Sequence, residues 1–129
     1  MIHPNEAIFI QREVARAFGD PVGVRDAEAL ALALARPFSS NNGIPAYPTF
    51  LIKAAVLFQG LLSEKPFLGA NRRTSLCILA IVLQSRGYRL EVTPADLHRM
   101  LPAIELGFAS WHRVTAWIKG RAKRVAMAR

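Results

Sequence analysis

The amino-acid sequence predicts an all-α fold, a compact helical bundle formed by one domain over residues 1–129. Three observations carry the prediction. Apolar residues recur at helical spacing along most of the chain, capping residues stand before several of these runs, and strand signals are confined to a short stretch around Tyr88 to Val92. With 52% apolar and 20% charged residues, the chain has enough hydrophobic surface to fold rather than stay disordered.

The first helix is expected around Ile10 to Phe18. Ile10, Val14, Ala17 and Phe18 fall on one stripe, read as the core face, with Gln11, Arg12, Glu13 and Arg16 on the polar side and Gly19, Asp20 and Pro21 ending the helix. The stretch Ala29 to Ala35 alternates alanine with leucine, which is a strand period. Both are strong helix formers and neither is β-branched, so it reads as a second helix, capped by Asp26 and stopped before Pro37. Phe38 to Tyr47 gathers serine, asparagine, glycine and proline, the composition of an exposed loop able to shape a docking surface.

A third helix is expected from Pro48, a first-turn proline, and is largely buried through Leu51, Ala54, Ala55, Phe58 and Leu62. A fourth, about Arg72 to Arg86, is apolar on nearly every side and ends at Gly87, so these two form the centre of the bundle. Thr93, Pro94 and Asp96 make a capping box for a fifth helix reaching about Glu105. Ser110 caps a last helix that carries Trp111, Val114, Trp117 and Ile118.

Lysine and arginine outnumber acidic residues by 17 to 9, and the resulting charge of +8 attracts phosphates, nucleic acid or acidic proteins without choosing among them. Neither a helix-turn-helix nor an RNA-binding motif is present, so nucleic acid is not the expected partner. Cys77 lies in an apolar run and reads as an inert buried thiol. The first residues lack a signal-peptide pattern, and the longest apolar run, Leu76 to Leu83, falls well short of the ~20 residues that cross a bilayer. A cytoplasmic protein without membrane contact is expected.

Chemistry concentrates between the two central helices. Lys65-Pro66-Phe67-Leu68-Gly69-Ala70-Asn71-Arg72-Arg73-Thr74-Ser75 is a glycine-containing turn that feeds a helix start beside two arginines. The first N–H groups of a helix have no internal partner and the helix dipole adds positive potential, so such a turn suits an anion. Arg72 and Arg73 add charge-assisted bonds, while Asn71 is equally readable as the N-cap.

This segment resembles the signature loop of Fic proteins, H-x-F-x-[DE]-[GA]-N-x-R-[ST], in Phe67, Ala70, Asn71, Arg73 and Thr74. Upstream, Gly23-Val24-Arg25-Asp26 and the Ala-Leu helix ending Ala35-Arg36-Pro37 resemble the segment typical of Doc, or death-on-curing, members of the Fic/Doc family. The resemblance implies a helical fold whose loop and helix start hold nucleotide phosphates through Asn71, Arg72 and Arg73, with Phe67 anchoring the loop. A basic residue before Arg73, here Arg72, is similar to the Doc-like arrangement rather than the adenylylating one. The function implied is a toxin of a type II toxin–antitoxin module, paired with a small antitoxin. Such a protein transfers phosphate, or adenylyl, from ATP to a hydroxyl of a translation factor, elongation factor Tu.

Two departures stand in the motif. The family's general-base histidine is Lys65, and a lysine ordinarily keeps its proton near neutral pH unless burial or neighbouring cations favour its loss. The family's metal-holding acid is Gly69, which argues against Mg2+, since magnesium needs hard oxygen ligands. Glu64 is near in sequence but precedes the loop. These changes leave open whether the chain is an enzyme, and the alternative is a pseudoenzyme that keeps the fold and works as a binding or regulatory protein. Restoring histidine at Lys65 and aspartate at Gly69 is the test the sequence suggests.

The remaining candidates read as structural. His3, His98 and His112 are dispersed and suit surface or capping roles, so no metal site is expected. Trp111 and Trp117 suit the core. Lys119, Arg121, Lys123, Arg124 and Arg129 form a basic end suited to a solvated helix face or tail.

Overall fold

Among the described residues, five of the six helices begin at a side chain that binds the open N–H groups of the first turn, and the sixth begins at the motif. The computed structural model describes residues 1–125. Helix α1 spans Pro4–Phe18 and starts earlier than its apolar stripe suggests, because His3 caps it: Nδ1 accepts the Asn5 N–H at 3.1 Å and Glu6 accepts the His3 N–H at 3.0 Å. Helix α2, Ala27–Ala35, is capped by Asp26 and followed by a 3₁₀ turn, Arg36–Phe38, that holds Pro37.

The segment expected as a plain loop contains a small exposed hairpin, β1 (Ser40–Asn41) against β2 (Ile44–Pro45). Asn42 and Gly43 join the strands with positive φ, the conformation a two-residue hairpin turn requires. Helix α3 is Phe50–Glu64, with Thr49 rather than Pro48 setting its start, because the threonine hydroxyl accepts the Ile52 N–H. Helix α4 is Asn71–Gln84, α5 is Pro94–Glu105 with the expected capping box, and α6 is Trp111–Arg121 capped by Ser110. Strands β3 (Tyr88–Leu90) and β4 (Ala122–Arg124) pair antiparallel, so part of the basic end is strand rather than helix or tail.

Helix α3 sits at the centre and packs on α2, α4, α5 and α6. Ala54 to Phe58 and Gly60 to Leu62 are all buried, and Phe58 stacks on Trp117 with ring centroids 6.1 Å apart. Trp117 is core as expected, whereas Trp111 is half-buried, edge-on to Tyr47 and stacked on exposed His112.

Three expectations are corrected by the packing. Helix α1 buries Ala7, Gln11 and Ala15 and leaves Phe18 exposed, so the polar side chain assigned to solvent is a core contact. Helix α4 is covered by α1, α3 and β3 through Ile78, Leu79, Val82 and Leu83, which leaves Cys77 and Ile81 exposed; the thiol is not buried. Arg121 turns inward, pairing with Asp96 at 2.8 Å and covering Trp117, while Lys119, Lys123 and Arg124 face solvent and Arg129 lies outside the described residues. No described helix is long and apolar enough to cross a membrane.

Candidate anion site at the start of α4

The loop between α3 and α4 is framed by two non-glycine residues in the left-handed region, Lys65 with φ 47° and Ala70 with φ 56°. Lys65 ends α3 and Ala70 stands at the N-cap of α4. Phe67 is buried and forms a β-bridge with Val24, which fastens the loop to the core. The 23–26 segment runs beside the loop: Leu68 N–H donates to the Gly23 carbonyl at 2.9 Å, and Arg25 and Asp26 N–H groups donate to the Pro66 carbonyl at 2.8 and 3.1 Å.

Arg25 also closes the C-terminal end of α3, donating from Nε to the Lys65 carbonyl at 2.8 Å and from Nη2 to the Glu64 carbonyl at 2.7 Å. A cation there meets the negative end of the helix dipole. Glu64 contributes its carbonyl to this contact, and its carboxylate does not line the groove described below.

Gln11 is the loop's second fastening, and only 1% of it is exposed. Its Nε2 donates to the Pro21 carbonyl at 3.0 Å and to the Gly69 carbonyl at 3.1 Å, while Oε1 accepts the Gly23 N–H at 3.0 Å. One amide thus joins α1, the turn after it and the motif loop. The arrangement explains why a glutamine can be buried: its polar atoms find partners.

Asn71 is the first residue of α4, not its cap. Its side chain folds back on the loop, with Oδ1 accepting the Phe67 N–H at 3.1 Å and Nδ2 donating to the Phe67 carbonyl at 3.0 Å. What it offers a ligand is therefore the backbone N–H. Ala70 supplies no side-chain cap, so the first-turn N–H groups of α4 have no side-chain partner at the cap, unlike those of the other five helices.

Beside this helix start lies an open groove of about 470 Å³ lined by Asp20, Lys65, Asn71, Arg72, Arg73 and Glu105 among others. Arg72 makes a two-pronged pair with Glu105, Nε to Oε2 at 2.9 Å and Nη2 to Oε1 at 2.5 Å. This hydrogen bond holds the Glu105 carboxyl below the usual carboxylate range against the opposing effect of burial, with the charges of Arg72 and Lys65 adding to it. The same bond raises Arg72 above its ordinary value. Arg73 lies over the Phe18 ring, 3.9 Å from its centroid, and faces Asp20 at 3.5 Å. Helix α1 thereby positions the second arginine.

The motif's missing acid has a steric counterpart. A Cβ at Gly69 would lie 2.7 Å from Pro21 Cδ and 3.1 Å from both the Pro21 nitrogen and oxygen. A side chain of any kind requires the turn after α1 to shift. The described residues contain no cluster of three or more His, Cys, Asp or Glu side chains able to hold a metal. The groove's two carboxylates, Asp20 and Glu105, are each engaged by an arginine. This donor set does not fit a magnesium ion.

A family model for Fic/DOC matches residues 2–83, which include α1 to α3, the motif loop, the 23–26 segment and all of α4 but its last residue. The chain belongs to the Fic/Doc family. It is 36% identical over 74 residues to a protein named Toxin Doc from Mycolicibacterium smegmatis, a match that spans 57% of this chain and 57% of that relative. Glu105 and its helix lie beyond the part the family model matches.

Sequence reading pointed to Lys65, Phe67, Asn71, Arg72 and Arg73, and the fold places all five in one loop and helix start. It missed Gln11, Asp20, Arg25 and Glu105. Gln11 was hidden by its polarity, and Asp20 and Glu105 by their distance in sequence from the motif. Arg25 lay in the upstream family segment, and only the fold reveals its contact with α3. None of the three histidines lines the groove.

Proposed function

We propose that this Fic/Doc protein is a Doc-like toxin component that binds nucleotide phosphates at the start of α4 and pairs with a small antitoxin. The observation that carries the reading is the uncapped start of α4 flanked by Arg72 and Arg73 within a fastened loop. Free N–H groups, the helix dipole and two guanidinium groups form the set that receives a phosphate. The relative named Toxin Doc supports the toxin assignment. In the transfer reading, a hydroxyl of a translation factor such as elongation factor Tu accepts phosphate or adenylyl from ATP, and Lys65 occupies the base position of the motif.

The second reading is a pseudoenzyme that binds nucleotide without transfer. It is favoured by two specific observations: Lys65 is exposed, and Gly69 has no room for a carboxylate. The discriminating experiment incubates the protein with ATP labelled at either the α- or the γ-phosphate in an extract containing elongation factor Tu. Label from the γ-phosphate on a protein establishes a kinase, and label from the α-phosphate an adenylyltransferase. With no label from the native chain, label from Lys65→His alone supports the pseudoenzyme. The variant omits Gly69→Asp because that change displaces Pro21. Growth arrest on expression, relieved by a co-expressed neighbouring small protein, tests the toxin assignment; growth unaffected by expression overturns it.

A further inference from the structure

We infer that the groove takes a nucleoside triphosphate as the free polyanion and not as its magnesium complex. The inference rests on the nucleotide reading above and concerns the form in which that ligand arrives.

The first argument is steric. The place beside Gly69 is filled by Pro21, whose backbone nitrogen and oxygen would lie 3.1 Å from any Cβ there. This is backbone, not a flexible side-chain tip, and it is fixed from two sides. Gln11 binds both the Pro21 and Gly69 carbonyls, and Leu68 N–H binds the Gly23 carbonyl. The motif loop and the turn after α1 are therefore closed against each other where a metal-holding side chain would have to stand.

The second argument is electrostatic. Lys65, Arg72 and Arg73 face Asp20 and Glu105, so the charged lining has three cations and two carboxylates and an excess of one positive charge. A divalent cation entering this lining meets the excess positive charge, and Glu105, the more buried carboxylate, is already held by Arg72 through two bonds. A polyphosphate meets the reverse situation. It competes with Asp20 for Arg73, whose guanidinium is about half exposed in a pair at 3.5 Å. Such an exposed pair contributes little, so releasing it costs little, whereas Glu105, with 11% of its side chain exposed, keeps its two-pronged bond to Arg72. The Arg73 to Asp20 pair, at 3.5 Å, is the looser of the two. Bound magnesium cancels two negative charges of the nucleotide and so weakens the attraction that a cation-lined groove exerts on it.

The test is calorimetric titration of the full chain with ATP in EDTA and in excess magnesium, at matched ionic strength so that screening does not differ. Affinity about tenfold weaker in magnesium is expected, and unchanged affinity overturns the inference, since nearly all the ATP is then the magnesium complex. Tighter binding in magnesium overturns it while leaving the nucleotide reading intact. Absence of binding in both buffers overturns the nucleotide reading and this inference with it. A manganese titration read by electron paramagnetic resonance provides the second measurement. Free and nucleotide-bound manganese signals alone are expected, and an additional protein-bound manganese signal in the presence of ATP would refute the proposal.

Discussion

At the scale of single residues, the motif puts glycine where space is needed and alanine where conformation asks for glycine. Gly69 has an ordinary φ, but a Cβ there collides with Pro21; Ala70 has room for its methyl group and holds φ at 56°. Adjacent substitutions should therefore act with opposite signs. Gly69→Ala is expected to destabilise by about 1–3 kcal/mol, the cost of forcing atoms into a packed site. Ala70→Gly is expected to stabilise by about 0.5–1 kcal/mol, because a left-handed L-residue is strained by ~1–2 kcal/mol and glycine returns part of that in chain entropy. Urea unfolding of both variants checks this, and an Ala70→Gly variant less stable than the native chain would refute it. Gln11→Leu removes three hydrogen bonds and strands the carbonyls of Pro21 and Gly69 and the Gly23 N–H. A loss of about 2–4 kcal/mol is expected from lost bonds and unsatisfied groups. The apolar leucine fits the helix but cannot hold the loop.

Elements were legible in the sequence where caps were present and less so where faces had to be assigned. Asp26, Thr93 with Asp96, and Ser110 set the starts of α2, α5 and α6 as expected, since a side-chain oxygen three residues before an N–H is a local signal. The buried face of α1 was not legible, because the partner that satisfies Gln11 comes from the turn after α1 and from residue 69, in another part of the chain. The hairpin at Ser40–Pro45 was hidden by composition, although Asn42-Gly43 is its turn signal. The groove was half legible: the arginines lie in the motif, but their carboxylates come from the turn after α1 and from α5. Asp96 joins two elements, capping α5 at the Thr93 N–H and pairing with Arg121 of α6. The Arg121 bond, followed by the Thr93 contact, holds its carboxyl well below the usual carboxylate range. A lowered folded value means the contribution is present above the unfolded value of ~3.9 and lost as pH falls toward the folded one. Stability should therefore drop on acidification below about pH 4, and Asp96→Asn should flatten that part of the profile. Thermal unfolding between pH 2 and 7 for both proteins measures the difference; parallel profiles would exclude the linkage.

For the whole molecule, the question is whether the groove depends on the distant core. Helix α3 answers it by geometry, since it packs on α2, α4, α5 and α6 and its last residues lead into the motif loop. Phe58, wholly buried and stacked on Trp117, sits in the middle of that helix and lines no part of the groove. Removing a buried aromatic side chain costs about 3–5 kcal/mol through lost transfer energy and the cavity left behind. Total stability for a chain of this class is roughly 5–15 kcal/mol, so the substitution consumes a large share of it. Phe58→Ala is expected to lower the melting temperature by about 10–20 °C, taking a few degrees per kcal/mol for this length. If one core serves the whole chain, unfolding stays a single cooperative step. Near-ultraviolet circular dichroism from Trp117 and hydrogen exchange at the start of α4 should then report the same loss of stability. Separate transitions would mean that the loop's own fastenings, Gln11 and Arg25, hold the anion site together after the core has opened.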